Sequence, residues 1–274
     1  QALLQEITNI IIYDNDRKSH DTKLLVISRM LQETLFTAIK SGAAILEQFF
    51  NRKDLHISNK ESINDLVTEA DHASEKAIIE VIRKQFPDHF ILTEESGEHA
   101  TSSSYKWIID PIDGTVNFAN GIPLCCVSIG LEKHGQMLMG AVYNPLMKEF
   151  FFAEKGLGAT LNGEPIHVSN KNEVSSSCLV TGFPYTYLDM PNGPLQSFER
   201  FIRQGIPVRR LGSAAIDLCW VAAGRFDGFW EHKLNAWDSA AGFLIVEEAG
   251  GKVTDFTGAA YSPYQPHLLA TNGK

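Results

Sequence analysis

Residues 107–118, WIIDPIDGTVNF, constrain this 274-residue chain more than any other stretch. Trp107, Ile108 and Ile109 form an apolar, β-prone run, Pro111 biases Asp110 toward extended backbone, and Gly114 permits a tight turn before Thr115. The expected product is a strand that delivers two carboxylates, Asp110 and Asp113, into a turn where they can converge. Carboxylate and carbonyl oxygens suit a hard cation such as Mg²⁺ or Mn²⁺, whereas zinc asks for His or Cys at ligand spacing, and none stands nearby. Taken alone, the segment reads first as a strand end with an Asp-Pro turn.

Two further acidic ends accompany it. Ile91, Leu92 and Thr93 lead into Glu94 and Glu95, and Ala236-Trp237-Asp238 sets an acid at the opening of an apolar helix. Upstream, a helix expected over about 69–86 carries Asp71 in its first turn, where a carboxylate also suits the helix dipole without any further role.

The 44% hydrophobic and 21% charged composition is that of a globular protein, and the net charge of -9 argues against a surface built for nucleic acid. No apolar run approaches the ~20 residues of a membrane span. Cys125, Cys126, Cys178 and Cys219 sit in apolar runs without zinc or redox spacing, which predicts buried thiols in a reducing compartment and a cytoplasmic location. The histidines, among them His134 and His232, show no ligand or triad arrangement and read as surface or loop residues.

Apolar residues from Leu24 to Phe50 recur three or four apart and predict a helix over about 23–50. Ahead of it, residues 1–21 read as an N-terminal extension, helical over Leu3 to Ile12 and a polar linker over Asp14 to Lys18. Long strands joined by short turns are expected over about 89–154, with the glycines at 156 and 158 in a loop, and alternating strands and helices after about 175. The expectation is one domain over 22–274, with a metal-binding half (22–174) and a substrate-binding half (175–274). Periodicity alone supports an α/β protein with two sheets.

The motifs DLVTEAD (65–71), EES (94–96), DPIDGT (110–115), and WD (237–238) followed by EAGG (248–251) occur in that order over about residues 25–274. This chain thereby resembles the inositol monophosphatase family of Mg²⁺-dependent, lithium-sensitive phosphatases. The resemblance implies a five-layer αβαβα sandwich with the site between the halves, and a homodimer. It implies more than one Mg²⁺, with Mn²⁺ as a possible substitute. Asp110 would bridge two ions, Glu94 and the carbonyl of Ile112 would complete the first, and Asp113 and Asp238 would hold the second. Glu94 and Thr115 would orient the attacking water within a network that includes Asp71. On residue type alone, Thr115 reads as a turn or helix-cap residue.

Glu95 is expected behind the ligands, and Lys60 matches a family lysine near the metal or else is an exposed loop lysine. Asp113, Gly114 and Thr115 are expected against the substrate, together with Gly212, Ser213 and Ala214 at a helix opening whose N–H groups can receive a phosphate oxygen. Glu231 would meet polyol hydroxyls, or is a plain edge-strand acid. The implied substrate is a small phosphate monoester, foremost myo-inositol monophosphate. Fructose 1,6-bisphosphate, histidinol phosphate and NADP are the alternatives within the family, and a non-catalytic binding protein is the alternative outside it.

Overall fold

The computed structural model describes residues 2–52, 57–59, 66–184, 187–190 and 193–274, with the backbone alone described for 2–24, 59, 66, 67 and 189. A long helix α1 (Ala2–Phe49) leads into the short pair β1 (Ile57–Asn59) and β2 (Leu66–Thr68), followed by helix α2 (Glu69–Gln85). Next come β3 (Phe90–Thr93), β4 (Gly97–His99), β5 (Tyr105–Asp113), the single-turn helix α3 (Thr115–Ala119), β6 (Cys126–Lys133), β7 (Gln136–Asn144), β8 (Glu149–Glu154), β9 (Gly158–Leu161) and β10 (Glu164–Pro165). The remainder alternates: β11 (Leu179–Thr181), α4 (Pro194–Arg203), β12 (Val208–Arg209), α5 (Ala214–Ala222), β13 (Gly228–His232), α6 (Ala236–Glu248), β14 (Lys252–Thr254) and β15 (His267–Thr271).

β3 to β10 form an eight-stranded sheet in the order β10-β9-β8-β7-β6-β5-β3-β4, and β11 to β15 a five-stranded sheet in the order β12-β11-β13-β15-β14. α1 and α2 cover one face of the first sheet, α5 and α6 lie between the sheets, and α4 packs on the outer face of the second sheet, with Phe198 and Phe201 against Leu179, Val208 and Trp230. These are the five αβαβα layers expected. Because β5 is covered on both faces, it is buried almost throughout rather than alternating. Trp107 and Ile109 join Leu35, Ile39, Ile78 and Ile82 beneath α1 and α2. Ile108 faces the opposite core with Leu218 and Ile245.

The polar segment from Asp14 to Lys18 is not a linker but lies within α1. Charged residues do not terminate a helix, and the first breaker, Gly42, comes only much later in the chain. The loop expected around residue 158 begins β9, which hairpins onto β8.

Candidate active site

The separation of Asp110 and Asp113 in sequence would put them on opposite faces of a regular strand. They are not opposed, because β5 is bulged between them. Asp110 pairs with Ser128 and Asp113 with Cys126, so three steps along β5 match two along β6. Pro111, with no N–H to give the ladder, sits inside the bulge. Ile112 consequently turns into the α1/α2 core, and both carboxylates face the α5/α6 layer. The Asp110 carboxylate also accepts the Ile112 N–H at 3.0 Å.

Asp113 is held from the start of α5. Its Oδ2 accepts the Ser213 hydroxyl at 2.6 Å and the Ala215 N–H at 2.7 Å, so the first turn of α5 grips this carboxylate. Ser213 also caps α5. The helix opening expected to receive a substrate oxygen thus spends at least one of its donors on Asp113. Gly114 is left-handed at φ 89, and a Cβ there would come within 2.8 Å of the Leu124 carbonyl oxygen. Gly212, also left-handed, lies against Asn117, whose Nδ2 donates to the Leu124 and Leu211 carbonyls.

Thr115 Oγ1 lies 3.2 Å from Asp71 Oδ1 and 3.0 Å from the Ile112 carbonyl oxygen. Asp71 is fully buried, and its Oδ2 accepts both the N–H and the hydroxyl of Thr68, so the acid closes a capping box while reaching Thr115 with its other oxygen. The helix-start reading and the site reading of Asp71 are therefore compatible. Glu94 follows β3, which runs parallel to β5, and its charge acts on the Asp110 carboxyl. Asp238, in the first turn of α6, receives the Asn235 N–H at 2.6 Å.

Burial, then the charges of Glu94, Asp113 and Asp238, push the Asp110 carboxyl well above its usual range. Burial raises Asp113 to about 6 against the pull of Ser213 and Ala215. Glu231, on β13, is raised by loss of water and by Asp238 and Asp113, with Arg210 opposing. The acids from four separate elements thus act on one another. Among the described residues, however, no three Asp, Glu, His or Cys side chains close into a ready metal cage. The donor set is nonetheless all oxygen, and the repulsion within it is what a hard divalent cation relieves, so the residues fit Mg²⁺ or Mn²⁺.

Three structural roles were not apparent from the sequence. Glu75, one turn beyond Asp71 and buried, accepts the Thr93 hydroxyl at 2.6 Å and the N–H groups of Glu95 and Ser96 at 3.1 and 3.3 Å. It thereby holds the loop that carries Glu94, and the backbone of Glu95 is part of that brace. Its only sequence signal is an acid on the same helix face as Asp71. Asn117 is the second, as above. Glu248, in the EAGG motif, accepts the Gly156 and Gly158 N–H groups and so braces the β8–β9 turn. His232 is not a surface residue: it is 8% exposed, packed against Phe256 and His267. Lys60 and Asp65 lie outside the described residues.

The profile of the inositol monophosphatase family matches residues 28–274. The chain belongs to that family. Among its relatives, Nus factor SuhB of Pasteurella multocida is 45% identical over 242 residues, covering 88% of this chain and 90% of its own. Phosphatase IMPL1, chloroplastic, of Arabidopsis thaliana is 41% identical over 280 residues, covering 100% of this chain and 74% of its own. The solved structure of inositol monophosphatase from Anabaena (Nostoc) sp. superposes with a TM-score of 0.77 at 41% identity, covering 89% of this chain and 92% of that one. No helix among the described residues is long and apolar enough to cross a membrane.

Proposed function

We propose that this inositol monophosphatase family member is a Mg²⁺-dependent phosphatase that hydrolyses a small polyol phosphate monoester, foremost myo-inositol monophosphate. The observation that carries the reading is the bulge that turns Asp110 and Asp113 to one face of β5, within reach of the charge of Glu94. Asp110, Glu94 and the Ile112 carbonyl would hold one ion, and Asp110, Asp113 and Asp238 a second. Bound there, Mg²⁺ would neutralise phosphoryl oxygens and acidify a water; Mn²⁺ is the expected substitute and Li⁺ an inhibitor. Asp71, anchored by Thr68, takes the proton side of the Thr115 hydroxyl. That leaves the Thr115 lone pairs toward the attacking water, whose second hydrogen Glu94 accepts.

The substrate side falls to residues 175–274. Gly212, Ser213 and Ala214 shape the wall next to Asp113, and Glu231 accepts ring hydroxyls. This division leaves 22–174 as the metal-binding half. The buried thiols of Cys125, Cys126 and Cys219 support a reducing compartment such as the cytosol. A homodimer is proposed from the family resemblance together with Leu195 and Ile202, exposed on α4.

Phosphate release from a panel of monoesters in Mg²⁺ tests the reading. myo-Inositol 1-phosphate should be turned over with the highest kcat/KM. Preference for fructose 1,6-bisphosphate, histidinol phosphate or NADP would move the chain to another branch, and no hydrolysis of any would leave a binding protein.

A further inference from the structure

The Glu231 carboxylate rests against the backbone of Gly182, just beyond β11: both its oxygens stand where a Cβ on residue 182 would be. On the helix side, α5 packs on β13, and its buried Asp217 lies within electrostatic reach of Glu231. Asp217 is 1% exposed, and its Oδ1 is buried with no hydrogen-bond partner among the described residues. The donors at the start of α5 do not serve it, since Ser213 and the Ala215 N–H are directed to Asp113. An ionised Asp217 would face the charge of Glu231 with one oxygen uncompensated. A buried carboxyl in that position keeps its proton, and its raised affinity for that proton, from burial and then Glu231 and Asp113, agrees. A neutral acid in an apolar setting is a hydrogen-bond donor.

We propose that Asp217 is a positioning residue for Glu231: its carboxylic O–H, relayed through one buried water, donates to the Glu231 carboxylate and fixes the orientation in which that carboxylate meets substrate hydroxyls. The proposal rests on the reading of Glu231 as the hydroxyl contact. It assigns the substrate pocket a second layer, in which Gly182 supplies the space and Asp217 the donor.

The test compares Asp217→Asn, Asp217→Leu, Glu231→Gln and the double variant Asp217→Leu/Glu231→Gln on myo-inositol 1-phosphate and p-nitrophenyl phosphate. Leu removes the donor, and loss of a hydrogen bond to a charged group corresponds to roughly a tenfold or greater rise in KM. That rise is expected for the inositol ester only, with kcat and the aryl ester little changed. Asn keeps a donor of similar shape and should restore KM to within about threefold of wild type. Asp217→Leu should add nothing once Glu231 is Gln. If Glu231→Gln is selective while Asp217→Leu has no effect, acts on both esters alike or adds to it, the proposal is overturned and the Glu231 reading stands. If Glu231→Gln is not selective, both fall. Infrared difference spectra of wild type against Asp217→Asn supply a check that does not depend on the Leu variant: the carbonyl stretch of a protonated carboxylic acid should be lost, and carboxylate bands alone would overturn the proposal.

Discussion

Asn117 Nδ2 donates to the Leu211 carbonyl at 2.7 Å while also holding the Leu124 carbonyl at 2.8 Å, so one buried amide ties the turn after β5 to the loop that opens α5. Those two segments carry Asp113 and the group that grips it. Asn117 thereby links the segment that ends in Asp113 to the one that opens α5.

Replacing Asn117 with Ala removes both donations and leaves two carbonyls short of a partner. The expected cost is about 1–3 kcal/mol of stability, read by chemical denaturation. Because Gly212 lies against the same amide, the KM for the phosphate ester should rise as well. A stability loss without any change in kinetics would mean that Asn117 does not set the site.

Glu75→Ala releases the loop carrying Glu94, since Glu75 accepts from Thr93, Glu95 and Ser96 together. The Mg²⁺ concentration for half-maximal activity should rise by about 10–100-fold, the range for groups that support metal ligands from behind. Calorimetric Mg²⁺ titration provides the independent reading. Unaltered Mg²⁺ dependence would separate Glu75 from the metal site.

His232 carries a pH prediction. Burial, then neighbouring His267, lowers its folded pKa to about 4 from an ordinary 6.5. The folded state prefers the neutral ring, so its contribution is complete above about pH 6.5 and is lost as pH falls through the folded value near 4. The Tm of the wild type should drop between those limits more steeply than that of His232→Gln. Parallel curves would contradict the assignment.

Much of the candidate site was legible because its acids sit where strand ends and helix starts announce themselves: Glu94 after β3, Asp110 near the end of β5, Asp238 in the first turn of α6. The bulge was not legible, since it exists only in the pairing of β5 with β6, and 110–113 looks the same with or without it. Asn117 was opaque for a similar reason, its second partner lying 94 positions away. Glu75 carried only a helical-face signal. His232 follows Trp230 and Glu231 as the tail of a strand, and nothing local shows that Phe256, from a separate turn, closes over it. The Asp14 to Lys18 segment was misread because polarity alone is a poor guide to where a helix stops; Gly or Pro is the stronger signal, and the segment has neither.

Mg²⁺-dependent phosphate release from myo-inositol 1-phosphate by wild type and Asp110→Asn tests the central claim most directly. Asn preserves the shape of a side chain buried at the bulge but removes the charge proposed to bridge two ions. The wild type should release phosphate only with Mg²⁺, lose activity in a chelator and regain it on readdition, while a folded Asp110→Asn should retain less than roughly a hundredth of the rate, in line with a loss of several kcal/mol of metal-borne charge stabilisation. Near-native turnover by Asp110→Asn at modest Mg²⁺, or wild-type turnover undiminished by the chelator, would contradict the metal core proposed for this chain.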